Sequence, residues 1–412
     1  MSGTGHGLAR QKGDRSVLRR QRAAGASARD GRGRVAAMPP ILQYGFRPFF
    51  LAAALQAGIM IPAWLALFHT VPVSWHAHEM VFGYLGAVIA GFVLTAIPNW
   101  TGRLPLSGWP LAGLLGLWLA GRIACNVADP SAVVMAIDLA FPVVLAGAIW
   151  REVIAGRNWR NAPVAGMLTL FTIANGAHHL ENTGLALDGF GIRLGLGAVA
   201  MLMALIGGRI VPSFTRNWLV KQGSASLPAS FGLPDKAALA ATALALVAWT
   251  AIPDRIVTGI LLAISGTLLL VRMARWQGLR TLGEPIVAIL HAGYLWLATA
   301  LALSGASILT AGSVPPGAAL HALTAGAVGT MTLAVMTRAS LGHTGRAIEA
   351  DGWTVAIYVL VTTGALLRVA APLLPFEYLP LLMTGGAFWS GAFLVFVGRY
   401  GPYLWRPRLG AA

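Results

Sequence analysis

SWHAHEMVFGYLGAVIAGFVLTAIPNWTGR, residues 74–103, decides how the chain is to be read. His76, His78 and Glu79 stand directly before an apolar run long enough to cross a bilayer. A spanning helix needs roughly 20 mostly apolar residues, and charge or unpaired polarity inside it is expensive. Either these three side chains seat a metal, or they dip into the water layer at the helix mouth. The whole chain shares the composition of this stretch: of 412 residues, 57% are hydrophobic and 11% charged. Soluble domains carry about 25% charge, so the polar surface here is too small to cover a globule of this size. The composition therefore predicts an all-α integral membrane protein, because in lipid a helix satisfies its own backbone.

Twelve transmembrane helices are expected, over 49–69, 77–97, 109–126, 132–150, 162–182, 190–212, 237–252, 256–273, 285–305, 317–338, 353–372 and 378–398. Only IPDR (252–255) separates the seventh from the eighth, so a re-entrant pair is the alternative there. Positive charge orients the bundle. Placing the basic N-terminal segment in the cytoplasm puts Arg103, Arg151, Arg157, Arg209, Arg272, Arg338 and Arg399 on that side, against Arg193, Arg255 and Arg368 on the other. Both termini are then cytoplasmic, in a bacterial inner membrane. Internal symmetry is suggested by prolines opening the first, fifth and ninth helices (Pro48, Pro163, Pro285). The spacing from His78 to the TGR of 101–103 recurs from His321 to the TGR of 344–346. Both features suggest three repeats of four helices.

The net charge of +16 is concentrated at the start, where residues 1–37 hold nine Lys/Arg against Asp14 and Asp30. This Gly/Ala/Arg-rich stretch lacks hydrophobic periodicity and a signal-peptide core. Residues 1–40 are expected to be a disordered cytoplasmic tail, with Met38 as an alternative start, and 41–412 the transmembrane domain. Nothing in this pattern points to nucleic acid; the partner implied is the lipid bilayer. Cys125 is the one cysteine. It excludes an internal disulfide, a CxxCH haem attachment and an iron–sulfur cluster, so a metal would need His, carboxylate, Met or backbone ligands.

On this topology His76, His78, His178, His179 and His321 share one layer near the outer face, beside His69. His291 lies deeper, and His343 is alone on the cytoplasmic side. Imidazoles gathered at one depth suit a transition metal. His76 and His78 are about 200° apart around a helix, so on a regular helix they serve different sites. Glu79 is a candidate imidazole partner or proton donor, or simply a helix N-terminal acid. His178 and His179, with His321 as third, would make a trigonal nitrogen site suited to copper. His291 is a candidate axial ligand for a haem. Arg122, Arg209, Arg338 and Arg368 are candidates for its carboxylates, with snorkelling as their ordinary role. Asp138, the one acid well inside a span, is a candidate proton-path residue or an arginine's partner.

Five segments carry a resemblance: GFRPFFLAAAL (45–55), WHAHEMVFGYLGAVIAGFVLTAIPNWTGR (75–103), GAHHLENTG (176–184), LHAGYLW (290–296) and HALTAGAVGTMTLAVMTRASLGHTGR (321–346). The chain from about residue 41 onward resembles the NnrS family of bacterial membrane proteins, and its H-A-H-E-M and G-H-T-G-R segments show no departure from the pattern. The resemblance implies haem b, copper and a role in the nitric-oxide and nitrosative-stress response. It makes nitric oxide the expected partner, with an unassigned electron donor. The leading expectation is a haem/copper protein that binds nitric oxide and reduces it to N2O, with Glu79 or Asp138 handling protons. The alternatives are a twelve-helix transporter with a histidine-lined path, and a non-catalytic nitric-oxide sensor or protective protein.

Overall fold

A chain this apolar has one economical way to satisfy its amides in lipid, and it takes it throughout. The computed structural model describes residues 38–101, 106–181, 185 and 187–410, and among these it contains helices and no strand. The tail expected over residues 1–40 lies, up to residue 37, outside the described residues, as does Arg103. The long helices are α1 (Phe46–Leu67), α2 (73–101), α3 (Trp109–Val127), α4 (Ala132–Ala155), α5 (Ala162–Glu181) and α6 (Phe190–Lys221). They continue with α7 (Leu233–Ala251), α8 (Ile256–Ala274), α9 (Pro285–Leu309), α10 (Pro316–His343), α11 (Gly352–Ala370) and α12 (Tyr378–Trp405). Ten of them are long and apolar enough to cross a membrane, which marks a multi-pass membrane protein. The other two, α5 and α7, have 20 and 19 residues. Their polar content sets them apart: α5 carries Asn175, His178, His179 and Glu181, and α7 carries Asp235 and Lys236. The IPDR corner joins two separate helices, α7 and α8.

Helix ends follow local chemistry. Pro48, Pro163 and Pro285 sit in first turns, where a missing N–H costs nothing. Ser131 caps α4 by accepting from Val134 N at 3.3 Å, and Asp351 caps α11 by accepting from Thr354 N at 2.8 Å. The last helix is closed from a distance. Arg47, fully buried near the start of α1, donates through Nη1 to the carbonyls of Leu404 and Arg406 at 2.8 Å and of Tyr403 at 3.4 Å. The first and last helices are thereby tied together. Farther along, α11 and α12 meet backbone to backbone: a Cβ on Gly364 would lie 2.6 Å from Trp389 N.

Three helices are interrupted by a π-helical stretch: α2 at Glu79–Tyr84, α6 at Met203–Gly207 and α10 at Ala322–Val328. Such a stretch disturbs the regular hydrogen-bond ladder and often marks a functional site. Each has a carbonyl taken up by a side chain from elsewhere. Trp118 Nε1 donates to Gly83 O at 2.9 Å, Arg272 Nη1 to Ala204 O at 2.8 Å, and Trp389 Nε1 to Ala325 O at 3.1 Å. The interruptions fall four helices apart in chain order, and two of them begin immediately after a histidine, His78 or His321.

Candidate metal centre and the cavity beside it

The short N-terminal piece of α2, Val73–His78, separates two polar compartments. On one side His78, Glu79, Arg122, Asp138, Asn175 and His178 are all buried, and His179 is half-buried. Asp138 on α4 is their hub. Its Oδ2 accepts from Asn175 Nδ2 at 2.8 Å and lies 3.0 Å from His179 Nε2 and 3.1 Å from His78 Nε2, while Oδ1 accepts from Arg122 Nη2. Glu79 accepts from Arg122 Nη1 and Gln56 Nε2, both at 2.6 Å, and its Oε1 lies 3.3 Å from His78 Nδ1. His178 stands with its ring stacked on His78 at 5.5 Å, and its Nδ1 is 3.0 Å from Glu181 Oε2.

Small residues make this packing possible. A Cβ on Gly121 would lie 2.7 Å from Asp138 Oδ1, and one on Gly83 would lie 2.8 Å from Arg122 Nη1. Gly191 lets α6 start against α5, where a Cβ would come within 2.5 Å of His178 N. From there the Gly191 N–H donates to Glu181 Oε1 at 2.5 Å, which fixes the carboxylate that faces His178.

Glu79 and Asp138 contribute two negative charges, which Arg122 and a doubly protonated His78 offset. Both ring nitrogens of His78 face carboxylate oxygens, so both bond to them as N–H donors; a metal ion on either nitrogen would take that proton's place. One ligand atom each from His78, Cys125, Asp138 and His179 can be chosen so that all lie within 4.8 Å of one another. Two ligands of a tetrahedral ion, at 2.0–2.1 Å from it, stand about 3.3 Å apart, close to the 3.0–3.1 Å from Asp138 Oδ2 to the two imidazoles. The donor set therefore suits a transition-metal ion. Glu181 on His178 is the kind of outer partner that orients a ligating imidazole.

On the other side of the same helical piece lies a cavity of about 300 Å³, lined by His76, His321 and Arg368 among apolar and aromatic residues that include Trp64, Tyr84 and Trp389. The His76 ring stacks on Trp64 at 5.0 Å, and its Nδ1 has no partner. His321 Nδ1 is 2.8 Å from Gly317 O; it must donate there, which leaves the lone pair on Nε2. Arg368 Nη1 has no partner. Among the described residues no carboxylate forms an ion pair with Arg368.

Of the residues singled out from sequence, His78, Glu79, Arg122, Asp138, His178 and His179 come together at the hub, while His76 and His321 line the cavity. The 200° between His76 and His78 is thus realised as two separate compartments. His291 is in neither. Its Nε2 meets Thr215 Oγ1 at 2.7 Å, and that hydroxyl donates onward to Val211 O at 2.9 Å, so Nε2 carries the proton. Its Nδ1 has no partner, and a Cβ on Gly278 would lie 2.6 Å from it. Arg338 lies with its guanidinium 3.7 Å over the Phe214 ring. The sequence reading missed Gln56, Cys125, Asn175 and Glu181. The last three had a signal: Cys125 is one turn from Arg122, Asn175 one turn before His179, and Glu181 one turn after His178.

The family model described as NnrS protein matches residues 40–408. A comparison with curated proteins returns no match.

Proposed function

The chain belongs to the NnrS family, and from that premise we propose that it is a haem- and copper-holding membrane protein that binds nitric oxide and reduces it. Two nitric oxide molecules, two electrons and two protons give N2O and water. In this reading twelve helices span a bacterial inner membrane with both termini cytoplasmic, as the distribution of Arg and Lys suggests. Nitric oxide is neutral and enters lipid, so a site within the bundle is accessible to it.

The observation that carries the reading is the buried hub on Asp138, where His78, His179 and Cys125 offer ligand atoms within reach of one ion. Copper, when bound there, supplies a redox-active Lewis acid. The chain's own residues do the rest. Arg122 holds Glu79 and Asp138 in place and offsets one of their charges. With copper held by His78, Asp138 and His179, Glu79 would remain beside it, its Oε1 3.3 Å from His78 Nδ1, as the group that can hold a proton. Gln56 and Asn175 fix the orientation of the two carboxylates.

The test begins with purified protein: copper by elemental analysis, haem by its visible spectrum, and N2O by gas chromatography after anaerobic mixing of reduced protein with nitric oxide. Copper that is lost in His78→Ala and His179→Ala, together with N2O formed by the wild type, supports the reading. Bound metals without N2O reduce it to nitric-oxide binding or protection. A wild type that holds neither metal overturns it in favour of a transporter with a histidine-lined path.

A further inference from the structure

The two compartments beside α2 differ in electrical character. The hub sets two carboxylates against a guanidinium and a protonated imidazole whose proton a metal ion can replace. The cavity holds a guanidinium, two imidazoles and no carboxylate within ion-pairing distance among the described residues. A largely enclosed guanidinium without a counter-charge is costly. Its chemical complement is an anion.

The rest of the lining specifies what that anion is attached to. Apart from His76, His321, Arg368 and Thr324, the walls are apolar or aromatic, Trp64, Tyr84 and Trp389 among them. A free inorganic anion would leave this surface unfilled. The two imidazoles add a third requirement. His321 is held by Gly317 in the tautomer whose Nε2 lone pair is unspent, the arrangement seen when a second bond sets a metal-ligating histidine. His76 stacks on Trp64 and makes no hydrogen bond that would occupy it. The ligand that answers all three is a broad apolar plate with a metal at its centre and carboxylates on its edge. The mouth, at Val73 and Tyr378, is exposed, so the edge of a large ring can project from it.

We propose that the cavity walled by His76, His321 and Arg368 is the iron tetrapyrrole site of this protein, with His321 supplying the iron's imidazole and Arg368 pairing with the ring's carboxylates. The inference rests on the haem of the reading above and deepens it by naming the site; His291, whose Nε2 is engaged by Thr215 and which does not line this cavity, is replaced in that role. His76, on the same wall, is the second imidazole available to the iron.

The test reads haem content directly. Wild-type protein and the variants His321→Ala, His76→Ala, Arg368→Gln and His179→Ala are purified in detergent, and haem is quantified as the pyridine haemochrome alongside copper. His321→Ala is expected to lose most of its haem and keep its copper; His179→Ala is expected to do the reverse. Because an alanine variant can fail to fold, His321→Gly is also prepared and supplied with free imidazole, which should restore the Soret band. Arg368 is tested by titrating haem-free protein with haemin and with its dimethyl ester. Wild type should prefer haemin by at least about tenfold, the value of a hydrogen-bonded charge, and Arg368→Gln should lose that preference.

Full haem occupancy in both His76→Ala and His321→Ala overturns the assignment while leaving the family-based reading intact, since the haem then sits elsewhere. Equal binding of haemin and its ester by wild type overturns the role of Arg368. A wild type that holds copper and takes up no haem overturns the assignment alone. A wild type with neither metal overturns both readings.

Discussion

Replacing Asp138 by asparagine tests the hub at its centre. Four donors or ring nitrogens converge on this carboxylate, from Arg122, Asn175, His78 and His179. Asparagine keeps the shape but offers one acceptor oxygen, removes the charge, and turns an NH2 group toward groups that are themselves donors. Arg122 is left with Glu79 alone. Breaking a buried ion pair from one side costs about 3–5 kcal/mol, against a typical total stability of about 5–15 kcal/mol. Metal binding loses both a ligand and a counter-charge; since an outer partner alone is worth about 10–100-fold, copper affinity should fall at least about 100-fold. The assays are tryptophan-fluorescence melting in detergent and competition for copper against a chelator. Asp351→Asn is the control. There Asp351 and Arg399 are 38% and 39% exposed, and since asparagine caps a helix as well as aspartate does, only the exposed ion pair is lost, at about 0.2–1 kcal/mol. If Asp138→Asn melts with the wild type and takes up copper with unchanged affinity, the hub argument is wrong.

Copper uptake should release about two protons per ion, one from the doubly protonated His78 and one from the Cys125 thiol; calorimetry in buffers of different ionisation heat measures it, and no release would refute that ligand set. Gly121→Ala should cost about 1–3 kcal/mol and lower copper content, since its Cβ meets Asp138 Oδ1 at 2.7 Å; unchanged copper with a normal melt would refute the close fit. Arg47→Ala should destabilise by about 3 kcal/mol by freeing three carbonyls at the end of α12, read as a lower melting temperature and faster proteolysis after Tyr403. At Asp351 burial raises the carboxyl's pKa, but bonds from Thr354 and the Arg399 charge outweigh it and hold the group below its usual range. Its contribution is therefore full above about pH 4 and lost as pH falls through the lowered value, so Asp351→Asn should flatten that acid limb of a stability–pH curve.

The helices were legible because a membrane span is a matter of length and apolarity, and both are printed in the sequence. The starts capped by Ser131 and Asp351 fall within a residue of those expected, whereas α6 and α12 run on several residues past their expected ends, to Lys221 and Trp405. The hub was partly legible: Asp138, His78 and His179 stand out as expensive polar residues within apolar runs. What failed was the grouping. Reading depth alone placed His321 with His178 and His179, but residues at one depth can face different ways, and rotation about the helix axis sends His321 to the cavity. That facing depends on how α10 packs against its neighbours, which spacing alone does not carry. Gln56 was opaque for a related reason: it looks like an ordinary helix residue until its neighbours are known. His291 is a buried polar residue as read, with Nε2 engaged by Thr215.

The six-residue stretch 79–84 has a consequence that its composition hides. A π-helical turn takes in one residue more than an α-helical one, so these six residues turn the chain about as far as five in a regular helix, roughly 500°. The extra residue is absorbed without turning His76 and His78 away from their compartments. Its effect falls on the backbone instead, where the Gly83 carbonyl is taken up by Trp118. A one-residue deletion there should leave both imidazoles on their own sides and remove that tie between α2 and α3.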